Sequence, residues 1–195
     1  MRIALITLFQ FLFIAEAVSQ INSEHLKIGD QAPLIKGVDQ FNSEINSDII
    51  LKEKKILLLF YRGNWCPYCK KHLANLQENL EKLTEEGVYV IVVTPEKIEK
   101  IKETTHKSKA TFSIIHDSDN KIMNDYMVAF EVNKSNVPSY FTYTQKRIAE
   151  YNEENNNVLP VPATYIINRE NKISYVHYDP KYSNRAKFEE LLLKL

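Results

Sequence analysis

An α/β sandwich built on a mixed central sheet is predicted by three stretches of this 195-residue chain. An unbroken apolar run, Ile56 to Tyr61, reads as a strand buried on both faces, and Val88 to Thr94 is a second such run, rich in β-branched residues and ended by Pro95. Between them the apolar period becomes helical at Leu73, Leu76, Leu80 and Leu83, with Gly87 as the stop. Near the end, Ala163 to Ile167 and Ile173 to Tyr178 read as strands joined by Asn168-Arg169-Glu170-Asn171, a turn-rich tetrad that predicts a β-hairpin. Strands that alternate with helices and finish in a hairpin define the class.

In chain order, Arg2 precedes an apolar stretch from Ile3 to Ala15, then Ala15-Glu16-Ala17-Val18-Ser19-Gln20. A positive start, an apolar middle and small residues before a cleavage point make a secretory signal peptide over residues 1–19, cut after Ala17 or Ser19. The stretch is short for a membrane span, and an uncleaved anchor is the second reading. Residues 20–195 then form one domain, exported to the periplasm, the secretory lumen or the outside, where a disulfide persists. Basic and acidic residues balance at 25 each, which gives no ground for a nucleic-acid partner or a stable membrane association after cleavage.

Leu26-Lys27-Ile28-Gly29-Asp30-Gln31-Ala32-Pro33 opens the mature chain as a turn-rich lead to a short N-terminal hairpin. Ile49 to Leu51 reads equally as a short strand or a helical turn. Pro95 to about Lys109 reads as a polar helix and Phe112 to His116 as a third strand. Asp117-Ser118-Asp119-Asn120 offers N-caps for a helix through about Phe130. From Tyr140 to Asn157 the pattern is ambiguous, a short helix around Ile148 and Tyr151 followed by an exposed Asn run. A last helix is expected from about Asn184 to Lys194.

The chemistry sits in Phe60-Tyr61-Arg62-Gly63-Asn64-Trp65-Cys66-Pro67-Tyr68-Cys69, where the central strand turns into a helix. Unpaired N–H groups and the positive end of the helix dipole favour a thiolate there. Cys-X-X-Cys thiols in that setting ionise well below the ordinary thiol value of roughly 8.5. Cys66 is thus expected to be the exposed nucleophile and Cys69, one turn on, the more buried partner that attacks whatever Cys66 forms. Pro67 suits the first helical turn, and Trp65 would cover the pair beside Tyr68. Two other readings use the same cysteines. They could be ordinary core residues, or, with His72, ligands of a zinc ion, although a full tetrahedral set is missing. Lys70, Lys71 and His72 read as surface residues of the helix, and His116 and His177 as strand residues. Asn133-Lys134-Ser135 matches a glycosylation acceptor.

The decapeptide above, Phe112-Ser113-Ile114-Ile115-His116-Asp117, Leu159-Pro160-Val161-Pro162-Ala163-Thr164-Tyr165-Ile166-Ile167-Asn168 and the tail Tyr178 to Arg185 together resemble the peroxiredoxin-like branch of the alkyl hydroperoxide reductase/thiol-specific antioxidant family. The resemblance implies a thioredoxin-like fold with a peroxiredoxin-type N-terminal extension and insertion. It makes Cys66 the reactive cysteine and Cys69 its resolving partner, and Val161-Pro162 a cis peptide facing them. It also implies a thioredoxin-like reductant and no cofactor beyond the Cys66–Cys69 disulfide. Two departures stand out. No Thr or Ser precedes Cys66 where typical members orient the peroxide, and Pro162 falls near the strand position from which they supply an arginine. Arg62 and Arg185 are candidates to fill that place, Arg62 being equally readable as structural. The hydroperoxide reading therefore stands beside a thiol–disulfide oxidoreductase acting on protein disulfides, and beside a non-catalytic binding module with a structural disulfide.

Overall fold

The computed structural model describes residues 24–154 and 156–195; the leader expected over residues 1–19 lies outside the described residues. Two short strands, β1 (Lys36–Val38) and β2 (Glu44–Asn46), form the expected N-terminal hairpin, followed by a helical turn α1 (Ser47–Ile50). The stretch at Ile49 is therefore helical, with the Asn46 side chain capping it at Asp48 N–H.

Five strands make the main sheet: β3 (Lys55–Phe60), β4 (Val88–Thr94), β5 (Ser113–His116), β8 (Ala163–Ile167) and β9 (Ile173–Tyr178), in the order β5-β4-β3-β8-β9. β3 runs parallel to β4, and β4 to β5, while β8 is antiparallel to both β3 and β9. The sheet is mixed because helices connect the first three strands and a hairpin connects the last two.

Strand periodicity divides the core in two. Leu57, Leu59 and Tyr61 face one side with Cys66, Cys69, Leu73 and Leu76, whereas Ile56, Leu58 and Phe60 face the other with Ile35, Met123, Tyr126 and Tyr165. Both faces of β3 are closed to water, which is why its sequence shows no polar alternation.

The helix after Cys66 is two helices, α2 (Pro67–Glu78) and α3 (Leu80–Glu85), rather than one continuous run to Gly87. Asn79 breaks it, its N–H shared between the Asn75 and Leu76 carbonyls, while Leu73, Leu76 and Leu83 keep one buried face across the break. α4 (Ile98–Ser108) follows β4 and ends on Lys109 in the left-handed region.

The helix expected through Phe130 stops early. α5 (Lys121–Asp125) begins where Asp117 accepts from Ile122 and Met123 N–H, and it ends in a Schellman turn: Met127 N–H donates to Asn124 O and Val128 N–H to Met123 O, with Met127 at φ 56°. Phe130 instead lies in β6 (Ala129–Glu131), paired with β7 (Val158–Pro160). This ribbon brackets α6 (Phe141–Tyr151), the segment whose pattern was ambiguous, and so holds α6 over the start of α2. The final helix α7 spans Phe188–Leu192 only, because residues 179–185 are committed to a loop folded on Asp179.

Candidate active site

Cys66 closes the turn between β3 and α2. It is the N-cap of α2 with extended backbone, its N–H donates to Gly63 O at 3.0 Å, and its carbonyl accepts the first helical bond from Lys70. Pro67 occupies the first turn, where its missing N–H costs no bond. Gly63 makes the turn possible. Its φ is +149°, and an added Cβ would lie 2.3 Å from the Trp65 indole nitrogen.

The loop is held from below by Glu96, a fully buried carboxylate just past β4. Glu96 Oε1 accepts from Asn64 N–H at 2.7 Å, and Oε2 accepts from Tyr61 OH at 2.6 Å and Thr104 Oγ1 at 3.3 Å. Burial raises the Glu96 pKa against these bonds, and it raises that of Tyr61 well above the phenol range. Nothing in the periodicity marks Glu96; only its place after Pro95 at a strand end could have drawn notice.

Each sulfur has its own arginine. Arg62, 4% exposed, donates from Nη2 to Cys66 Sγ at 3.5 Å, and Arg185 donates from Nη2 to Cys69 Sγ at 3.6 Å. Arg62 is packed between aromatic rings, its Cζ 4.3 Å from the Tyr182 centroid and 5.3 Å from that of Trp65. The Cys66 thiol is pulled down to about 5, first by the hydrogen bond from the Cys69 thiol and then by the Arg62 charge, which together outweigh burial. Cys69 is pushed well above the ordinary thiol range, chiefly by burial and then by the Cys66 sulfur. One proton is thus kept by Cys69 and presented to a Cys66 thiolate. Both cysteines are free thiols here.

Cys66 is not exposed as the sequence suggested: it is 1% accessible, as is Cys69. Arg62, Trp65 and Tyr182 cover it. Access is through a cavity of about 210 Å³ walled by Arg62, Trp65, Cys66, Pro67, Tyr68 and three further tyrosines, Tyr140, Tyr143 and Tyr182. Tyr68 and Tyr143 stand at its mouth, each nearly half exposed. Tyr140 and Tyr143 belong to the insertion whose pattern is ambiguous, and Tyr182 to the Tyr178–Arg185 tail; no spacing in the sequence marks the three as neighbours of Cys66.

Of the remaining expected residues, Val161 and Pro162 are buried between β7 and β8 and do not wall that cavity. Continuing the β3–β8 register sets Pro162 across from Tyr61. The Val161–Pro162 peptide is trans, not cis, like every peptide among the described residues: Val161 N–H donates to Val128 O at 2.8 Å and keeps the chain extended. Lys70 and Lys71 are exposed as expected. His72 is half-buried rather than solvated, and burial, then the nearby Arg185 charge, hold its pKa down at about 4. No cluster of three His, Cys, Asp or Glu forms a metal site among the described residues.

A buried redox-type cysteine pair at the head of a helix on a mixed five-stranded sheet defines a thioredoxin-like protein. The chain belongs to the AhpC/TSA family, whose pattern it matches over residues 28–176. It is 27% identical to the peroxiredoxin Bcp of Escherichia coli K12 over 103 residues, a stretch that spans 53% of this chain and 65% of the relative. Its fold is similar to that of a peroxiredoxin-like protein from Aquifex aeolicus (TM-score 0.64, 19% identity, 88% of this chain and 87% of the other). It is also similar to peroxiredoxin 6 of Arenicola marina (TM-score 0.67, 14% identity, 86% and 70%).

Proposed function

We propose that the protein is a thiol peroxidase that reduces hydroperoxides at Cys66, with Cys69 as the resolving cysteine. The observation that carries this is the Arg62–Cys66 contact inside a cavity of about 210 Å³: the Cys69 hydrogen bond and then a buried arginine hold the sulfur as a thiolate in a space that suits a small molecule. The thiolate attacks one peroxide oxygen, the O–O bond breaks, and the departing alkoxide or hydroxide takes a proton from solvent to leave as alcohol or water. Arg62 is placed to donate to the oxygen on which charge develops, the part a loop hydroxyl and strand arginine play elsewhere in the family. Cys66 becomes a sulfenic acid. Cys69 then attacks its sulfur, water departs, and an external thioredoxin-like dithiol reduces the resulting disulfide. Family membership and the likeness to Bcp support this reading. The leader motif supports export, with the chemistry taking place outside the cytoplasm.

A second reading, thiol–disulfide exchange on protein substrates, is favoured by the absence of Thr or Ser in Arg62 to Trp65.

Stopped-flow fluorescence tests the proposal, because Trp65 is the chain's one tryptophan and adjoins the nucleophile. Reduced protein mixed with hydrogen peroxide should give a fast, peroxide-dependent change that is lost in Cys66→Ser. A trace no faster than a free thiol would end the peroxidase reading and turn attention to disulfide substrates.

A further inference from the structure

Arg185 is built into its place. Its segment is folded on Asp179, whose Oδ1 accepts from Lys181 N–H at 2.8 Å and whose Oδ2 accepts from Asn184 Nδ2 at 2.5 Å, while Asn184 N–H donates to Lys181 O at 2.8 Å. Arg185 Nη1 is spent on the carbonyls of Tyr182 and Asn184, leaving Nη2 directed at Cys69 Sγ. The same loop lays Tyr182 on Arg62. Behind Arg185 lies a cavity of about 370 Å³ that includes Lys71, His72 and Lys187 and has no carboxylate in its walls. A guanidinium fixed beside a thiol that is protonated in the reduced pair has no evident task in the peroxide step, which takes place at the other sulfur.

We propose that Arg185 is a catalytic residue of the second half of the cycle: it holds negative charge on Cys69 Sγ while that sulfur closes onto oxidised Cys66, and again when the disulfide is reduced. This rests on the reading of Cys66 and Cys69 as an exchanging pair. In closure the S–S bond forms as the Cys66 S–O bond breaks, and the Cys69 proton leaves with the hydroxyl as water. In reduction a thiolate of the external dithiol attacks Cys66, the S–S bond breaks, and its electron pair stays on Cys69 beside Arg185.

The charges around the pair agree. In the reduced protein, burial, then the hydrogen bond and charge of Cys66, keep Cys69 protonated. Oxidation of Cys66 removes its thiolate charge, and the influences that then favour a Cys69 anion are Arg185 and Arg62. Facing this end are also His72 on α2 and His177 on β9, both held low first by burial, with Lys71 and Lys187 in the cavity wall and Asp179 and Glu190 beside His177. Of the cations on this side, Arg185 is the one in hydrogen-bond contact with Cys69 Sγ.

The test uses the full protein with Arg185→Gln and Arg185→Lys, each in two settings. In stopped-flow with hydrogen peroxide, closure is the later, peroxide-independent phase. Arg185→Gln should slow that phase by roughly tenfold more than it slows the first, and Arg185→Lys should restore most of the loss. In a Cys66→Ser background, which leaves Cys69 as the single thiol, ultraviolet thiolate absorbance should titrate at higher pH in Arg185→Gln than with Arg185 intact. An unmoved Cys69 titration overturns the proposal, as does an equal slowing of both phases, which marks a merely structural residue. If the parent protein gives no peroxide-dependent phase, the peroxidase reading fails by itself, and the Cys69 titration still decides the role of Arg185.

Discussion

Arg62 reaches Cys66 Sγ at 3.5 Å from within the fold, on the loop that precedes the cysteine, so sulfur and cation are set by a single turn. The turn is fixed by Gly63 at its bend, Glu96 beneath it and Tyr182 above it. Each of these supports predicts a distinct failure.

Removing the cation should show directly in the acid limb of thiol reactivity. With Arg62 in place, alkylation of Cys66 by iodoacetamide should rise with a midpoint near pH 5 and level off above it. Arg62→Gln should move the midpoint upward and slow hydroperoxide reduction roughly 10- to 100-fold. A profile that does not move would show that the Cys69 hydrogen bond alone holds the thiolate.

Tyr182 stacks on Arg62 as well as covering Cys66. A stacked guanidinium is worth about 0.5–2 kcal/mol, so Tyr182→Leu should shift the same midpoint upward by less than Arg62→Gln does. Tyr182→Phe, which keeps the ring, should leave it in place. The pH profiles of the two variants, taken side by side, check this.

Stability of the reduced form should depend on pH through Cys66. Its folded pKa, about 5, lies below the roughly 8.5 of an unfolded thiol. The unfolded chain therefore binds the extra proton between these values, and stability rises with pH across that window. The contribution is complete above the unfolded value and is lost as pH falls through about 5. Denaturant midpoints of reduced protein against Cys66→Ser, measured from pH 9 to pH 5, should converge on the acid side. Parallel curves would contradict the depressed pKa.

Glu96 is a different case, since its folded pKa is raised by burial. Its neutral form is the one the fold favours, and that stability is lost as pH rises through the folded pKa. Glu96→Gln, which keeps an acceptor for Asn64 and a partner for Tyr61, should cost little and flatten this dependence. Glu96→Ala leaves Asn64 N–H and Tyr61 OH without their acceptor, while Thr104 keeps Lys100 O, and should cost roughly 2–5 kcal/mol in a urea titration. Equal losses in the two variants would count against the hydrogen-bond account.

Gly63→Ala places a methyl group against the Trp65 indole at a φ that L residues rarely adopt. It should cost about 1–3 kcal/mol and move the Trp65 emission, with a matching loss of peroxide reduction. An unchanged emission spectrum would mean that the loop relaxes without displacing Trp65.

Much of this architecture was legible because periodicity reports burial. The strands at Ile56, Val88, Ala163 and Ile173 stand where their apolar runs are, and Cys66 caps the helix that the leucine spacing announces. Local signals failed where a single backbone conformation decided the outcome. Met127 in the left-handed region ends α5 with no glycine to mark it, and Asn79 splits the cysteine helix without interrupting its leucines. The site was half visible. The cysteines and Arg62 are adjacent in sequence, but Glu96, Tyr143 and Tyr182 reach it only through sheet order, the insertion and the tail. Long-range placement of that kind leaves no trace in spacing.

The most direct test of the central claim is mass spectrometry of the reduced protein after one equivalent of hydroperoxide in the presence of dimedone, which captures sulfenic acids. Cys69→Ser should carry a single adduct on Cys66, whereas the parent protein should carry none and should instead contain the Cys66–Cys69 disulfide. An unmodified Cys66 in Cys69→Ser, with the peroxide unconsumed, would contradict the assignment of Cys66 as the peroxide-reducing thiolate.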